Sequence, residues 1–421
     1  MDWESIFKET LDYFIKYLRI NTTNPPGNEI EGALFFKYIF ERENIPAVLY
    51  ETAQGRGNIF AKIEGEPDEK PLILLNHIDV VPADREKWDA EPFGGVIKDG
   101  YVYGRGTQDM KNMAVIQLMV MLLIKRRGIK LKRDIYFAAT ADEEKESNFG
   151  IIKLLETAPE LNNPGYVITE GGGGTQGVFA KKSKVVWGIG VGEKSPLFLH
   201  LEVHGTAGHG SQPDTANPNE ILIKAINNVL HRDEEKIKHP LVEEMIQKLG
   251  NLPDNKFVNA LIKNTISVTS VRGGVGDPPK VNVIPSTCVA ALDCRLMPGV
   301  NPDDFLNNLS NLLNDDRITV TPTRIPGDSI ISPHNTELYS AIEQTSKEKI
   351  PTSVTVPIIV PYATDSRYLR QKDFVCYGFT PVISTLEDLS LMHSDNERIG
   401  VEAFTSGVEL LYDIVVRFCK Q

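Results

Sequence analysis

The sequence predicts an α/β protein: a larger domain on a mixed, mainly parallel sheet flanked by helices, interrupted by an inserted α+β domain. Three observations predict it. Apolar, β-rich runs at 72–79 (LILLNHID), 134–140 (DIYFAAT) and 165–169 (GYVIT) are separated by helical patterns such as Lys111 to Arg127. That rhythm belongs to parallel strands with helices on both faces. After Ser195 the texture changes to alternating strands and short helices, then returns near the C-terminus to a buried strand and a long amphipathic helix. The length of 421 residues accommodates two or three domains at roughly 100 to 200 residues each.

The division that follows is 1–194 for the first part of the larger domain, 195–326 for the inserted smaller domain, and 327–421 for the second part of the larger one. The opening MDWESIFKETLDYFIKYLRI places acids in its first turn and apolar residues at helical spacing, unlike a secretory leader, so a cytoplasmic location is expected. A hairpin is expected where Asp99-Gly100 joins VIK to YVYG. The longest apolar stretch, Met113 to Ile124, is interrupted by Gln117 and falls short of the ~20 residues that span a bilayer, so it reads as a buried helix. The four glycines 171–174 lack a following Lys-Ser or Lys-Thr and read as a tight turn, not a phosphate cradle. Within the insertion, strands are expected at Phe198 to Val203, 265–272, 286–296 and Ile318 to Pro326, with helices at Pro218 to His231 and after Pro302. The last part carries a helix at 335–348, a strand at Val375 to Phe379 and a helix at Val401 to Phe418.

Composition narrows the function classes. Hydrophobic residues at 41% and charged residues at 24% exclude disordered, collagen-like and coiled-coil readings. A net charge of -12 argues against a generic nucleic-acid or anionic-membrane binder, whose affinity rests on neutralising phosphates. Four cysteines with no C-x-x-C pair suggest neither a zinc ribbon nor a disulfide framework and are read as buried thiols.

The chemistry lies where acids and histidines follow the strands. His77 and Asp79 end the first run, Glu143 and Glu144 the second, and Glu170 the third, which is where open α/β sheets bind ligands. Asp109 precedes an apolar helix and His393 precedes the last one. His77 and Asp79, two apart on a strand, share a face, so Asp79 can orient the imidazole. Two histidines and three carboxylates suit a pair of zinc ions, one Asp bridging both, and a carboxylate left over is the expected general base for hydrolysis. Singly, H-x-D is more often a polar turn and Glu-Glu a solvated loop. Together, each beside an apolar element, these charges are costly unless paired or metal-bound.

The motifs HIDVVP (77–82), GRGTQDMK (104–111), ADEE (141–144), ITEGGG (168–173), GTAGHGSQP (205–213), VNVIP (281–285), TDSRYLR (364–370) and HSDNERI (393–399) occur in order. As a set they resemble the zinc-dependent metallopeptidase family of aminoacylases, acetylornithine deacetylases, succinyl-diaminopimelate desuccinylases and glutamate carboxypeptidases. The resemblance implies His77 and Glu170 on one zinc, Glu144 and His393 on the other, Asp109 bridging, and Glu143 as general base. It also implies His209 near the reacting carbonyl, and Asn282 and Arg295 on the substrate carboxylate. The departures, Asn76 before the first ligand and an extra polar residue in HSDNERI, touch no ligand. Glu at position 170 leans toward the family's carboxypeptidases and deacylases.

The expectation is a hydrolase with two zinc ions per subunit, cobalt or manganese being possible substitutes. It would cleave a small peptide or N-acyl amino acid bearing a free carboxylate, with no nucleic-acid or membrane partner. The resemblance further implies that 195–326 is a lid and dimerisation domain, so a homodimer through the lid is expected, with His209 acting in cis or in trans. The alternatives are a dedicated biosynthetic deacylase or desuccinylase and a non-catalytic binding protein on the same fold; retention of all five ligands and of Glu143 argues against the latter.

Overall fold

The computed structural model describes all residues except 67, 182–183, 233–236, 325–326 and 328. Its main sheet has eight strands in the order Ala47–Ala53, Arg56–Ile63, Ile135–Thr140, Leu72–His77, Tyr166–Gln176, Val375–Thr385, Val185–Glu193 and Val354–Val360. Four neighbours at the centre, from Ile135–Thr140 to Val375–Thr385, run parallel. The N-terminal pair joins them antiparallel, so the sheet is mixed. Leu72–His77 is buried at every position, as a strand covered on both faces must be. One face carries Trp3–Leu18, Lys111–Arg126 and Val401–Cys419. The other carries Ile151–Thr157 and Ser366–Arg370, with Leu154 and Leu369 inside. Lys111–Arg126 is buried from residue 111 to 124 without a break, because a helix apolar on all sides has no face for water. Among the described residues no helix is long and apolar enough to cross a membrane. The four cysteines are free and buried.

The hairpin at Asp99-Gly100 forms as expected, with both turn residues at positive φ (51° and 80°). The glycine run departs from expectation: it is no turn, because Tyr166–Gln176 continues as a strand through it. A Cβ on Gly172 would lie 2.4 Å from the carbonyl oxygens of both Gly188 and Gly378, so glycine is needed for three backbones to meet there. Val375–Thr385 likewise outruns its expected end at Phe379. The sequence reading missed Val185–Glu193, whose glycines at 188, 190 and 192 dilute the strand signal.

A second, antiparallel sheet has the order Thr265–Gly273, Thr287–Leu296, Ser195–His204, Ile318–Arg324. Strict alternation along Thr287–Leu296 turns one face inward onto a separate core that includes Leu199, Leu222 and Leu309, under helices Pro218–Leu230 and Pro302–Leu313. The last strand ends at Arg324; its expected end at Pro326 lies outside the described residues. Helices Pro240–Leu249 and Lys256–Ile262 fall within 195–326 yet pack against Val354–Val360 of the main sheet. Their apolar residues, among them Leu241, Met245, Val258 and Leu261, belong to the main core. The inserted stretch therefore returns to the catalytic body midway, a path set by which apolar face it covers and invisible to residue texture.

Candidate active site

The parallel strands deliver most of the site from their C-terminal ends. His77 closes Leu72–His77, Glu143 and Glu144 follow Ile135–Thr140, and Glu170 projects from Tyr166–Gln176 just beyond its pairing with Leu72–His77. His393 comes from the turn after Leu386–Ser390, in left-handed backbone at φ 60°. Asp109 stands ahead of the buried helix, at the end of a loop built on buried Glu397. Glu397 accepts the backbone N–H of Gln108 at 2.6 Å and of Gly106 at 3.1 Å, and meets Arg105 Nη1 at 2.6 Å.

Asp109 offers one oxygen to each histidine. Its Oδ1 is 3.0 Å from His77 Nε2 and its Oδ2 is 3.0 Å from His393 Nε2. On the first side Glu170 Oε1 is 3.8 Å from His77 Nε2; on the second, Glu144 Oε2 is 3.4 Å from His393 Nε2. The donor atoms of His77, Asp109 and Glu144 lie within 4.8 Å of one another, as do those of His77, Glu143 and Glu170. All five expected ligands and Glu143 are thus brought together.

Burial, together with the charge of Glu170, raises the carboxyl of Glu143 well above its usual range. Burial and Asp109 do the same to Glu170 and, less strongly, to Glu144. Burial opposes the imidazolium of His77, but the hydrogen bond to Asp109 and the nearby carboxylates of Asp79 and Glu170 outweigh it and raise its pKa. Asp109 and Glu144 lift half-exposed His393 to about 10. Glu144 Oε1 is buried with no hydrogen-bond partner among the described residues, an expensive state for a carboxylate oxygen. Crowded carboxylates and an orphaned oxygen beside two imidazoles fit a pair of divalent cations.

Asp79 works differently from expectation. The hydrogen-bond partner of His77 Nδ1 is the backbone carbonyl of Asp79, at 2.9 Å, while the Asp79 carboxylate is 3.6 Å away. That carboxylate instead accepts the backbone N–H groups of Glu143 (3.1 Å) and Glu144 (3.2 Å) and the amide of Asn24 (2.8 Å). Asn24 also bridges to Asp142, which Arg56 meets at 2.6 Å. Sequence reasoning missed this buried support because its members are scattered along the chain. It also missed Asp365, in the TDSRYLR motif, which accepts from Thr140 at 2.8 Å and is raised to about 6 by burial.

The site opens into a cavity of about 880 Å³. Arg295 lines it, with its guanidinium bound to Asp293 at 2.7 and 3.0 Å. His209 and Asn282 do not line it. Both are exposed: His209 lies on a small two-stranded ladder of the inserted part and Asn282 just precedes the ladder's second strand, its carbonyl accepting Gly210 N–H at 2.8 Å. Arg324 and Arg367, which the sequence reading did not single out, do line it.

The sequence profile of peptidase family M20/M25/M40 matches residues 73–417. The chain belongs to this family. As an M20 peptidase it is a metal-dependent hydrolase of amide bonds, in peptides or N-acyl amino acids. Human N-fatty-acyl-amino acid synthase/hydrolase PM20D1 is 27% identical over 97% of this chain and 87% of the relative. Aminoacylase-1 of Dictyostelium discoideum is 28% identical over 97% of both chains. The M20 family metallo-carboxypeptidase Sso-CP2 from Sulfolobus solfataricus shares the fold with a TM-score of 0.72 at 19% identity, covering 97% of this chain and 99% of that one. Human carnosine dipeptidase 1 gives 0.71 at 16% identity over 99% of both. The M20 profile begins at residue 73, so Asn24, Glu29 and Arg56, which brace the acidic turn, lie outside it.

Proposed function

We propose that this M20 peptidase is a two-zinc hydrolase of N-acyl amino acids and small peptides that carry a free carboxylate, with cobalt or manganese able to replace zinc. The sharing of Asp109 between His77 and His393, with Glu170 and Glu144 on either side, carries this reading. His77, Asp109 and Glu170 would hold one cation and His393, Asp109 and Glu144 the other. Such a pair, when bound, acidifies water and polarises the scissile carbonyl. Glu143, pushed up by burial and by Glu170, is suited to take the proton of the attacking water and return it to the leaving nitrogen. Asp79 keeps Glu143 and Glu144 in place through their backbone N–H groups.

His209 and Asn282 stand outside their own chain's cavity, which supports a homodimer in which a second copy supplies them to the reacting carbonyl and the substrate. Acidic composition and four free, buried thiols support a cytoplasmic enzyme with no nucleic-acid or membrane partner.

Of the substrate classes, N-acyl amino acids fit the cavity best. Phe179, Phe257, Leu261, Val382, Leu389 and Met392 form an apolar wall suited to an acyl chain. Similarity to an N-fatty-acyl-amino acid hydrolase and an aminoacylase points the same way. The test is hydrolysis of a mixed panel of dipeptides and N-acyl amino acids at defined zinc. Cleavage of N-acyl amino acids, rising with acyl length, is expected. An absolute requirement for a free N-terminal amine would discard the reading for an aminopeptidase.

A further inference from the structure

The four glycines 171–174 follow the proposed metal ligand Glu170 directly, and they line the same cavity, with Thr175 beyond them. Tyr166–Gln176 therefore presents bare backbone to the cavity along this stretch, a trough without side chains of its own. From Glu170 to Thr175 is five residue steps, about 16 Å at the roughly 3.3 Å rise of a strand.

Two walls flank the trough. Val382, Leu389 and Met392 stand on one side, from the end of Val375–Thr385 and the turn that leads to His393. Phe257, Ala260 and Leu261 stand on the other, from helix Lys256–Ile262, which lies in the stretch that leaves the inserted sheet to cover Val354–Val360. That helix is held at both ends. The side chain of Asn255 accepts the N–H groups of Phe257 at 3.1 Å and Val258 at 3.0 Å, and its amide donates to the carbonyl of Val178 at 2.9 Å. Val178 comes just after the end of Tyr166–Gln176, so the start of the helix is tied to the end of the trough remote from Glu170. Past the last turn, the carbonyl of Lys263 accepts the ammonium of Lys194, whose own N–H donates to the carbonyl of Val360 at 2.9 Å. The Val360 side chain lies 3.1 Å from where a Cβ on Gly171 would sit, so this end of the helix is tied back toward Glu170. The helix thus runs beside the trough, with Phe257 at its far end near Phe179 and the small side chain of Ala260 further along.

We propose that the trough takes the acyl chain of an N-acyl amino acid in extended form, and that helix Lys256–Ile262 sets the length of chain it accepts. Ala260 leaves room along the path, and Phe179 and Phe257 close its far end. The inference rests on the N-acyl amino acid reading above and adds which residues measure the chain. A methylene advances an extended chain by about 1.3 Å, given a C–C bond of about 1.5 Å, so the glycine stretch accommodates about twelve carbons. The four-glycine motif then has a role in the reaction as well as in the packing of the sheet: any side chain there would occupy the path.

The experiment reads chain length in two ways. N-acyl phenylalanines from butanoyl to icosanoyl are assayed for kcat/KM with zinc-loaded wild type, Ala260→Trp and Phe257→Ala. The same compounds are titrated by calorimetry into each protein carrying Glu143→Ala. In wild type both readouts are expected to climb by about 4-fold per buried methylene, to peak near dodecanoyl, and to decline well before icosanoyl. Ala260→Trp should move the peak to shorter chains, lowering the ratio of dodecanoyl to butanoyl by at least ~30-fold, the worth of two to three methylenes. Phe257→Ala should move it to longer ones. Opposite shifts in this ratio distinguish a gauge from general damage to the fold, which depresses all chain lengths together. The same profile in all three proteins, or a wild-type profile that keeps rising through icosanoyl, would overturn the proposal. Binding that follows the expected length profile in a wild-type protein that hydrolyses none of the compounds would refute the hydrolase reading and leave the gauge standing.

Discussion

Asp79 accepts the backbone N–H of Glu143 through Oδ1 at 3.1 Å, so a carboxylate two residues beyond His77 anchors the turn that carries the proposed base. Its other oxygen accepts Glu144 N–H at 3.2 Å, extending the anchor to a proposed ligand. Replacing Asp79 by Ala is therefore expected to reduce both zinc affinity and turnover by about 10 to 100-fold, the usual scale for a residue that orients ligands. Competition with a chromophoric chelator and steady-state rates check this. Unchanged values in both would show that the turn holds itself.

Glu143 and Glu144 should separate cleanly. Glu143→Ala is expected to keep near-normal zinc while losing at least ~100-fold in turnover. Glu144→Ala should lose zinc, since its partnerless buried Oε1 and its 3.4 Å approach to His393 mark it as a ligand. Elemental analysis of the two variants decides, and the reverse pattern would exchange their roles.

Arg56 is buried between Asp142 at 2.6 Å and Glu29 at 2.8 Å. Arg56→Met would strand two buried carboxylates behind the catalytic turn, so a loss of about 3–5 kcal/mol is expected in urea unfolding of the zinc-free protein. A loss below about 1 kcal/mol would mean that water replaces the guanidinium there.

Lys111 donates to the carbonyls of Ile20 at 2.6 Å and Tyr17 at 3.2 Å, and burial pushes its pKa down to about 7. The unfolded chain keeps this proton to about pH 10.4, so between the two values the unfolded state binds more protons and stability rises with pH. The stability of zinc-free wild type relative to Lys111→Met should therefore increase from pH 7 to 9, by at most about 1.4 kcal/mol per unit. A flat difference would show that the lysine stays charged in the fold.

His209 acting in trans predicts complementation. Neither His209→Ala nor Glu143→Ala should be active alone, but mixed subunits that exchange should regain a fraction of wild-type turnover, because one site per heterodimer is intact. Sedimentation at micromolar concentration should show a dimer. A lasting monomer with full activity would require lid closure within one chain instead.

The sequence alone placed the proposed ligands and base in order, because His77, Glu143, Glu144 and Glu170 follow apolar runs whose strand character is local. Asp109 and His393 were legible for a related reason, since each sits in a short motif beside a helix whose pattern is also local. Only the tertiary structure decided what those groups touch. Arg56 reaches Asp142 across 86 positions of chain, and Glu397 reaches the loop before Asp109 across nearly 290. No periodicity encodes a meeting that depends on which strands become neighbours. The glycine run read as a turn because its need for small residues comes from Gly188 and Gly378, backbones brought beside it by folding. Asp293 pairs with Arg295 two residues along the same strand, a local contact, but the placing of Phe198 between Asp293 and Arg324 exists only once three strands lie side by side.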